Sequence, residues 1–182
     1  MNPLIIKFTE LILLVILAVL SDLKTYKIKN LIVFPFILLG LTINFLFDGL
    51  IGAEFSFLGI IIPFVLLFPF FALRMMGAGD IKLFCGIGSI MGIKFVLYTI
   101  VYSFLSGGFI ALALIMIRKN SKQRLIQLFQ YFNISMSTFS FLPYNDFENK
   151  SDGSKFHFSL AIACGALFTV LLTGKAFLIP SG

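Results

Sequence analysis

Long apolar runs dominate this sequence and restrict its fold more than any other feature. Segments of roughly 17 to 23 residues with few charges recur along the chain, each long enough to cross a lipid bilayer as a helix. Of the 182 residues, 59% are hydrophobic and 12% are charged, with a mean hydropathy of +1.06. A soluble domain of this size has too little interior to bury that much apolar surface. The sequence therefore predicts an all-α polytopic membrane protein.

Six transmembrane helices are predicted, and the fourth is short. The predicted spans are residues 4–21, 31–47, 51–73, 81–91, 95–117 and 159–172. Asp48 and Gly49 form a predicted turn between the second and third spans. The fourth span would measure about 16 Å at ~1.5 Å per residue, too short for a hydrocarbon core of about 30 Å. We therefore expect the glycine-containing segment before it to lie at membrane depth, where protein or a wet cavity can surround it.

The chain is predicted to form a single integral-membrane domain over residues 1–182. Residues 118–158 form its one sizeable extramembrane segment, a loop between the fifth and sixth spans. Apolar residues recur in this loop at helical spacing, which predicts an amphipathic helix on the membrane surface. They are Leu125, Leu128, Phe129, Phe132 and Met136.

The cations predict how the chain is oriented. With six spans, eleven of the 14 Lys and Arg residues fall on one side of the membrane. They are Lys24, Lys27, Lys29, Arg74, Lys82, Arg118, Lys119, Lys122, Arg124, Lys150 and Lys155. By the positive-inside rule, that side faces the cytoplasm, and both termini lie on the outer side of the inner (cytoplasmic) membrane. The position of the cations on one membrane face then explains the net charge of +6. The expected partner is the lipid bilayer, and no nucleic acid is expected.

Two aspartates are the candidate catalytic residues. Asp80 follows Gly77 and Gly79 at the start of the short fourth span, and Asp22 ends the first span on the same predicted side. The remaining acids are predicted elsewhere: on the outer side, or in the 118–158 loop. Lys7 and Glu10, three residues apart near the outer end of the first span, are predicted to pair with each other.

Two carboxylates within hydrogen-bonding range share one proton near neutral pH. The ionised member can take a proton from water as it attacks a peptide carbonyl, while the protonated member polarises the carbonyl and later protonates the leaving amine. Other roles stay open at this point. Asp22 alone is typical of a helix cap or lysine partner, the pair could serve a small ion-coupled transporter, and the chain could be a structural subunit of a secretion machine. No metal or cofactor is expected, since the sole His157 and two isolated cysteines lack ligand spacing.

The chain resembles the type IV prepilin peptidase family, the GxGD aspartyl proteases. Residues 77–83, GAGDIKL, are similar to the family's G-x-G-D-x-K-L block, and Gly86, Gly88 and Gly92 continue its glycine spacing. Asp22 followed by Ile28 and Asn30 resembles its first-aspartate block. The resemblance implies catalytic roles for Asp22 and Asp80 and supporting roles for four motif residues. These are Gly77, Gly79, Lys82 and Asn30.

Three departures from the family's pattern stand out. Lys29 replaces the proline of the family's I-P-N motif, and residues 157–160, HFSL, replace its P-F-G-P. The larger members also carry a paired-cysteine domain that N-methylates the new N-terminus, and this sequence lacks it. The chain therefore resembles the short, peptidase-only form of tight-adherence and archaeal systems. No methyltransferase activity is expected.

The resemblance implies an endopeptidase that cuts the leader of a prepilin or pseudopilin at the cytoplasmic face. The alternative with the same catalytic chemistry is a different GxGD protease, one that cuts helices within the bilayer. The sequence leaves the oligomeric state open.

Overall fold

The computed structural model describes residues 3–73, 75–117 and 158–178. These ranges contain five helices and no β-strand, which confirms the all-α prediction. The helices are α1 (Pro3–Thr25), α2 (Asn30–Ala72), α3 (Ala78–Met91), α4 (Ile93–Ile117) and α5 (Phe158–Leu178). The amphipathic helix predicted within residues 118–158 lies outside the described residues. Residues 1–107 and 157–182 form one compact unit.

Three of the described helices are long and apolar enough to cross a membrane. They are α1, α2 and the part of α4 from Ile93 to Ala113. The apolar stretch of α5 from Phe158 to Leu172 is shorter, and α3 has 14 residues. The predicted fourth span corresponds to α3, which begins three residues earlier than predicted, at Ala78. The protein is thus an all-helical membrane protein in which α3 is the short helix.

The long helix α2 is a hairpin of two helical segments. Gly49 has φ 62° and ψ −142°, the only non-helical backbone angles inside α2. Gly52 packs directly against the carbonyl group of Asn44, although residues eight apart in a straight helix lie about 12 Å from each other. The chain therefore reverses direction at Gly49, where the turn was predicted. We call residues 30–48 the first segment of α2 and residues 50–72 its second segment.

The short helix α3 lies at the centre of the protein. Nine of its 14 residues are buried, from Ile81 to Ile90 with the exception of Lys82. It packs against α1, both segments of α2 and α5. A helix that is apolar on every side is stable only when other helices surround it, and this is the environment that α3 occupies.

Polar groups and glycines fix α3 against the two segments of α2. Asn44 of the first segment donates from Nδ2 to the carbonyl oxygen of Ser89 at 2.9 Å, and Ser56 of the second donates from Oγ to the same oxygen at 2.7 Å. The backbones of Gly59 and Gly88 touch, an approach that only residues without a Cβ allow. These contacts determine how far α3 extends along the hairpin, and therefore where its first turn lies.

The predicted pairing of Lys7 with Glu10 is wrong. The Lys7 ammonium group instead lies 3.4 Å from the Asp48 carboxylate at the exposed turn of α2. Glu10, one turn further along α1, is buried, and neither of its carboxyl oxygens has a hydrogen-bond partner among the described residues. A long lysine side chain extends toward the end of its helix, where Asp48 is available, and the shorter glutamate side chain stays in the interior.

Helices α4 and α5 are joined by buried hydroxyl groups. Thr99 and Thr169 share a hydrogen bond of 3.2 Å, and Ser106 donates to the carbonyl oxygen of Ala161 at 3.0 Å. Gly165 packs directly on Ser103. Small and hydroxyl-bearing residues of this kind are typical of close helix contacts in membranes, and here they hold the first turns of α5 in place.

Candidate active site

The two candidate aspartates meet at one end of the helical bundle. Asp22 lies in the last turn of α1, and Asp80 lies in the first turn of α3. Both side chains are half-buried. The two carboxyl groups, 58 positions apart in sequence, lie close enough in space to interact electrostatically. Lys7 and Asp48 mark the opposite end of α1.

Asp80 is placed by the glycine that precedes its helix. Gly77 caps the N-terminus of α3, and its carbonyl oxygen accepts a hydrogen bond from the Asp80 backbone N–H at 3.1 Å. A Cβ atom built on Gly77 would lie only 3.1 Å from Oδ2 of Asp80. The carboxyl group therefore rests against the bare Cα of Gly77, beside the positive end of the helix dipole, which favours a negative charge there.

Asp22 is placed by the end of α1 and the start of α5. Its Oδ2 accepts a hydrogen bond of 2.6 Å from Oγ of Ser159, the second residue of α5. The connector after α1 is held close to the helix, because Ser21 and Thr25 both donate from their hydroxyl groups to the carbonyl oxygen of Lys27 at 3.0 Å. Tyr26 adopts φ +53° in this sharp bend. The bend leads the chain back from Asp22 into α2.

The connector and the glycine motif contact each other on either side of the aspartates. Lys82 donates from Nζ to Oδ1 of Asn30, the first residue of α2, at 2.8 Å. A Cβ atom built on Gly79 would lie 3.1 Å from Cβ of Ile28, so the two motifs pack in direct contact there. The structure thus brings the four predicted supporting residues to the end of the bundle that holds both aspartates.

Sequence reasoning missed Ser159 as a residue of the site. The sequence did offer a clue in the HFSL segment, which differs from the family's usual motif. It puts a hydroxyl group at the start of the last helix, on the same predicted side of the membrane as Asp22. Only the packing of α5 on α1 shows that the hydroxyl reaches the carboxylate. His157, the first residue of the HFSL segment, lies outside the described residues.

A pocket of about 520 Å³ opens beside the glycine motif. It is lined by Phe71, Ala72, Met75, Met76 and Gly77, so its wall is mostly apolar. Gly77 belongs to both the pocket and the surroundings of Asp80. An apolar segment bound in this pocket would therefore lie next to the Asp80 carboxyl group.

The fold and the site together define an all-helical membrane protein with two interacting carboxyl groups at one end of its bundle. A family model described as the type IV leader peptidase family matches residues 10–112, more than half of the chain. The chain belongs to this family, as the sequence motifs predicted. The matched residues include both aspartates and end before α5. No curated protein and no solved structure matches the chain significantly.

Proposed function

We propose that this protein is an aspartic endopeptidase of the membrane that removes the leader of a prepilin-like substrate, with Asp22 and Asp80 as its catalytic residues. The observation that carries the proposal is that these two carboxyl groups lie close enough to interact electrostatically in a member of the leader peptidase family. The pair is the chemical requirement of an aspartic peptidase, because one carboxyl group must act as base while the other acts as acid.

The reaction needs one proton shared between the two aspartates. The ionised carboxylate takes a proton from water, and the water oxygen bonds to the carbonyl carbon of the scissile peptide. The protonated carboxyl group donates a hydrogen bond to the carbonyl oxygen, then transfers its proton to the amine nitrogen as the C–N bond breaks. Repulsion between neighbouring carboxylates favours this singly protonated state and returns the proton between cycles.

Six membrane spans are part of the proposal. They are α1, the two segments of α2, α3, α4 and α5. The reversal at Gly49 supports the count, since the two segments of α2 run in opposite directions along α3. With six spans the excess of lysine and arginine places the aspartates at the cytoplasmic face of the inner membrane. A substrate helix standing in the bilayer would then present the junction with its leader to them.

The four supporting residues would position the aspartates and the helices that carry them. Gly77 leaves space for the Asp80 carboxyl group, and Gly79 lets α3 pack on Ile28. The hydrogen bond between Lys82 and Asn30 fixes the start of α2 against the first turn of α3. The apolar pocket beside Gly77 would receive the hydrophobic segment of the substrate that follows the cleavage site.

Processing of a co-expressed prepilin tests this function. The probe carries a short basic leader that ends in glycine, and cleavage is read as a shift in its mass. We expect wild type to cleave it and both Asp22→Asn and Asp80→Asn to leave it uncut while still inserting into the membrane. Asp48→Asn, the same change at the opposite end of the bundle, is the matched control and should cleave as wild type does.

Each other outcome points to a different function. Full cleavage by either Asp22→Asn or Asp80→Asn would contradict the aspartic mechanism. No cleavage by wild type, together with ion flux into liposomes that both substitutions abolish, would identify a transporter. Cleavage of an ordinary membrane helix within the bilayer, with the prepilin uncut, would identify the other class of GxGD protease.

A further inference from the structure

One hydrogen bond distinguishes the two aspartates from each other. Ser159 is fully buried, and its Oγ donates to Oδ2 of Asp22 at 2.6 Å. A hydrogen bond of this length is short for two oxygen atoms, so the two side chains are in close contact. Ser159 lies outside the residues matched by the family model, so the contact belongs to this chain's own last helix.

The position of Ser159 is fixed by contacts on both sides of it. The ring of Phe158 packs against Phe104 of α4, with 5.9 Å between ring centroids, and fits over Gly107, where a Cβ would lie 3.1 Å from the ring. On the other side, the carbonyl oxygen of Ala161 accepts the hydrogen bond from Ser106. The first turn of α5 is therefore held on α4, and the Ser159 hydroxyl reaches Asp22 from a fixed backbone.

We propose that Ser159 is a positioning residue that holds the Asp22 carboxyl group in one orientation, so that Asp22 and Asp80 face the same reacting peptide. The inference rests on the proposed peptidase function. A hydrogen bond from a hydroxyl group on a fixed backbone restricts the rotation of the carboxyl group that accepts it. Asp80 is held differently, by the backbone of Gly77 at the start of α3.

Ser159→Ala tests the proposal, with Ser103→Ala as a matched control. Ser103 is also fully buried and donates a hydrogen bond of 2.6 Å, but its acceptor is the backbone carbonyl oxygen of Thr99, within its own helix. We expect Ser159→Ala to lower kcat for prepilin cleavage by roughly tenfold to a hundredfold, the usual effect of losing a hydrogen bond to a charged group. KM should stay within about twofold, because the serine acts through Asp22 and not on the substrate.

Two further measurements separate positioning from packing. The thermal midpoints of Ser159→Ala and Ser103→Ala in detergent should fall by similar amounts, and Ser159→Thr, which keeps the hydroxyl, should recover most of the lost kcat. A kcat for Ser159→Ala equal to that of Ser103→Ala would overturn the proposal. So would a loss confined to KM, or a loss that follows a drop in thermal midpoint and is not recovered by threonine.

The proposed function is tested independently in the same assay. Cleavage by wild type and none by Asp22→Asn would uphold the peptidase even if Ser159→Ala were fully active, and then only the role of Ser159 would fall. If wild type failed to cleave the prepilin, both proposals would be wrong.

Discussion

Replacing Gly77 with alanine should slow cleavage without weakening the fold. The added Cβ would lie 3.1 Å from Oδ2 of Asp80, whereas non-bonded atoms prefer about 3.5 Å, so the carboxyl group must move by a few tenths of an ångström. Gly77 has φ −74° and ψ 145°, angles that any residue adopts, and it is exposed. Neither backbone strain nor core packing therefore contributes to the effect.

The size of the effect follows from the displacement. Since a misplacement of about 1 Å can lower a rate hundredfold, a shift of a few tenths of an ångström should cost roughly fivefold to tenfold, or about 1 kcal/mol in the barrier. The assay is the initial rate of leader cleavage by purified enzyme with saturating prepilin. Gly77→Ser, whose side chain is larger, should be slower than Gly77→Ala.

Gly108→Ala provides the control for this series. Gly108 lies in α4, and a Cβ built there meets no atom within 4 Å. The control should cleave at the wild-type rate and unfold at or slightly above the wild-type midpoint, as expected for alanine in a helix. If Gly77→Ala cleaved as fast as Gly108→Ala, the proposed catalytic role of the Asp80 carboxyl group would be contradicted.

Three other predictions concern stability, measured by thermal unfolding in detergent. Gly59→Ala should destabilise the protein by about 1–3 kcal/mol, because its Cβ would overlap the backbone of Gly88; an unchanged midpoint would refute that contact. Glu10→Gln should keep or raise the thermal midpoint and leave the cleavage rate unchanged. The reason is that it removes the cost of a buried carboxylate that has no partner among the described residues. A large drop in the midpoint would show that the Glu10 charge is paired. Asn30→Ala and Lys82→Met should couple by about 0.5–1 kcal/mol in a double-mutant cycle, whereas additive effects would mean that their hydrogen bond contributes nothing.

Hydrophobicity and motif spacing predicted most of the fold and the core of the site. Apolar runs identify helices in a membrane because every backbone polar group there must be bonded within its own segment. The turn at Gly49 and the short helix after Gly77 followed from the same reasoning. Pairing Asp22 with Asp80 needed only that the end of the first helix and the start of the short helix lie at the same predicted membrane face, and the structure brings the two residues together at one end of the bundle.

The contacts between helices could not be predicted in this way. Whether Lys7 pairs with Glu10 or with Asp48 depends on where the α2 turn lies beside α1, and nothing in the local sequence encodes that. The hydrogen bond from Ser159 to Asp22 joins residues 137 positions apart, and it depends on the packing of α5. Gly88 packs on Gly59, whereas Gly92 ends α3 with φ +82°, and the glycine spacing alone does not distinguish these two roles.

The central claim is that Asp22 and Asp80 act as one catalytic unit, and the most direct test compares single and double substitutions in purified enzyme. Rates of prepilin cleavage are measured for wild type, Asp22→Asn, Asp80→Asn and the double variant in the same detergent or lipid. Residues that act as a unit are strongly non-additive, so each single substitution should lower the rate as far as the double substitution does. Residual cleavage by either single variant, with a further additive loss in the double variant, would contradict the account.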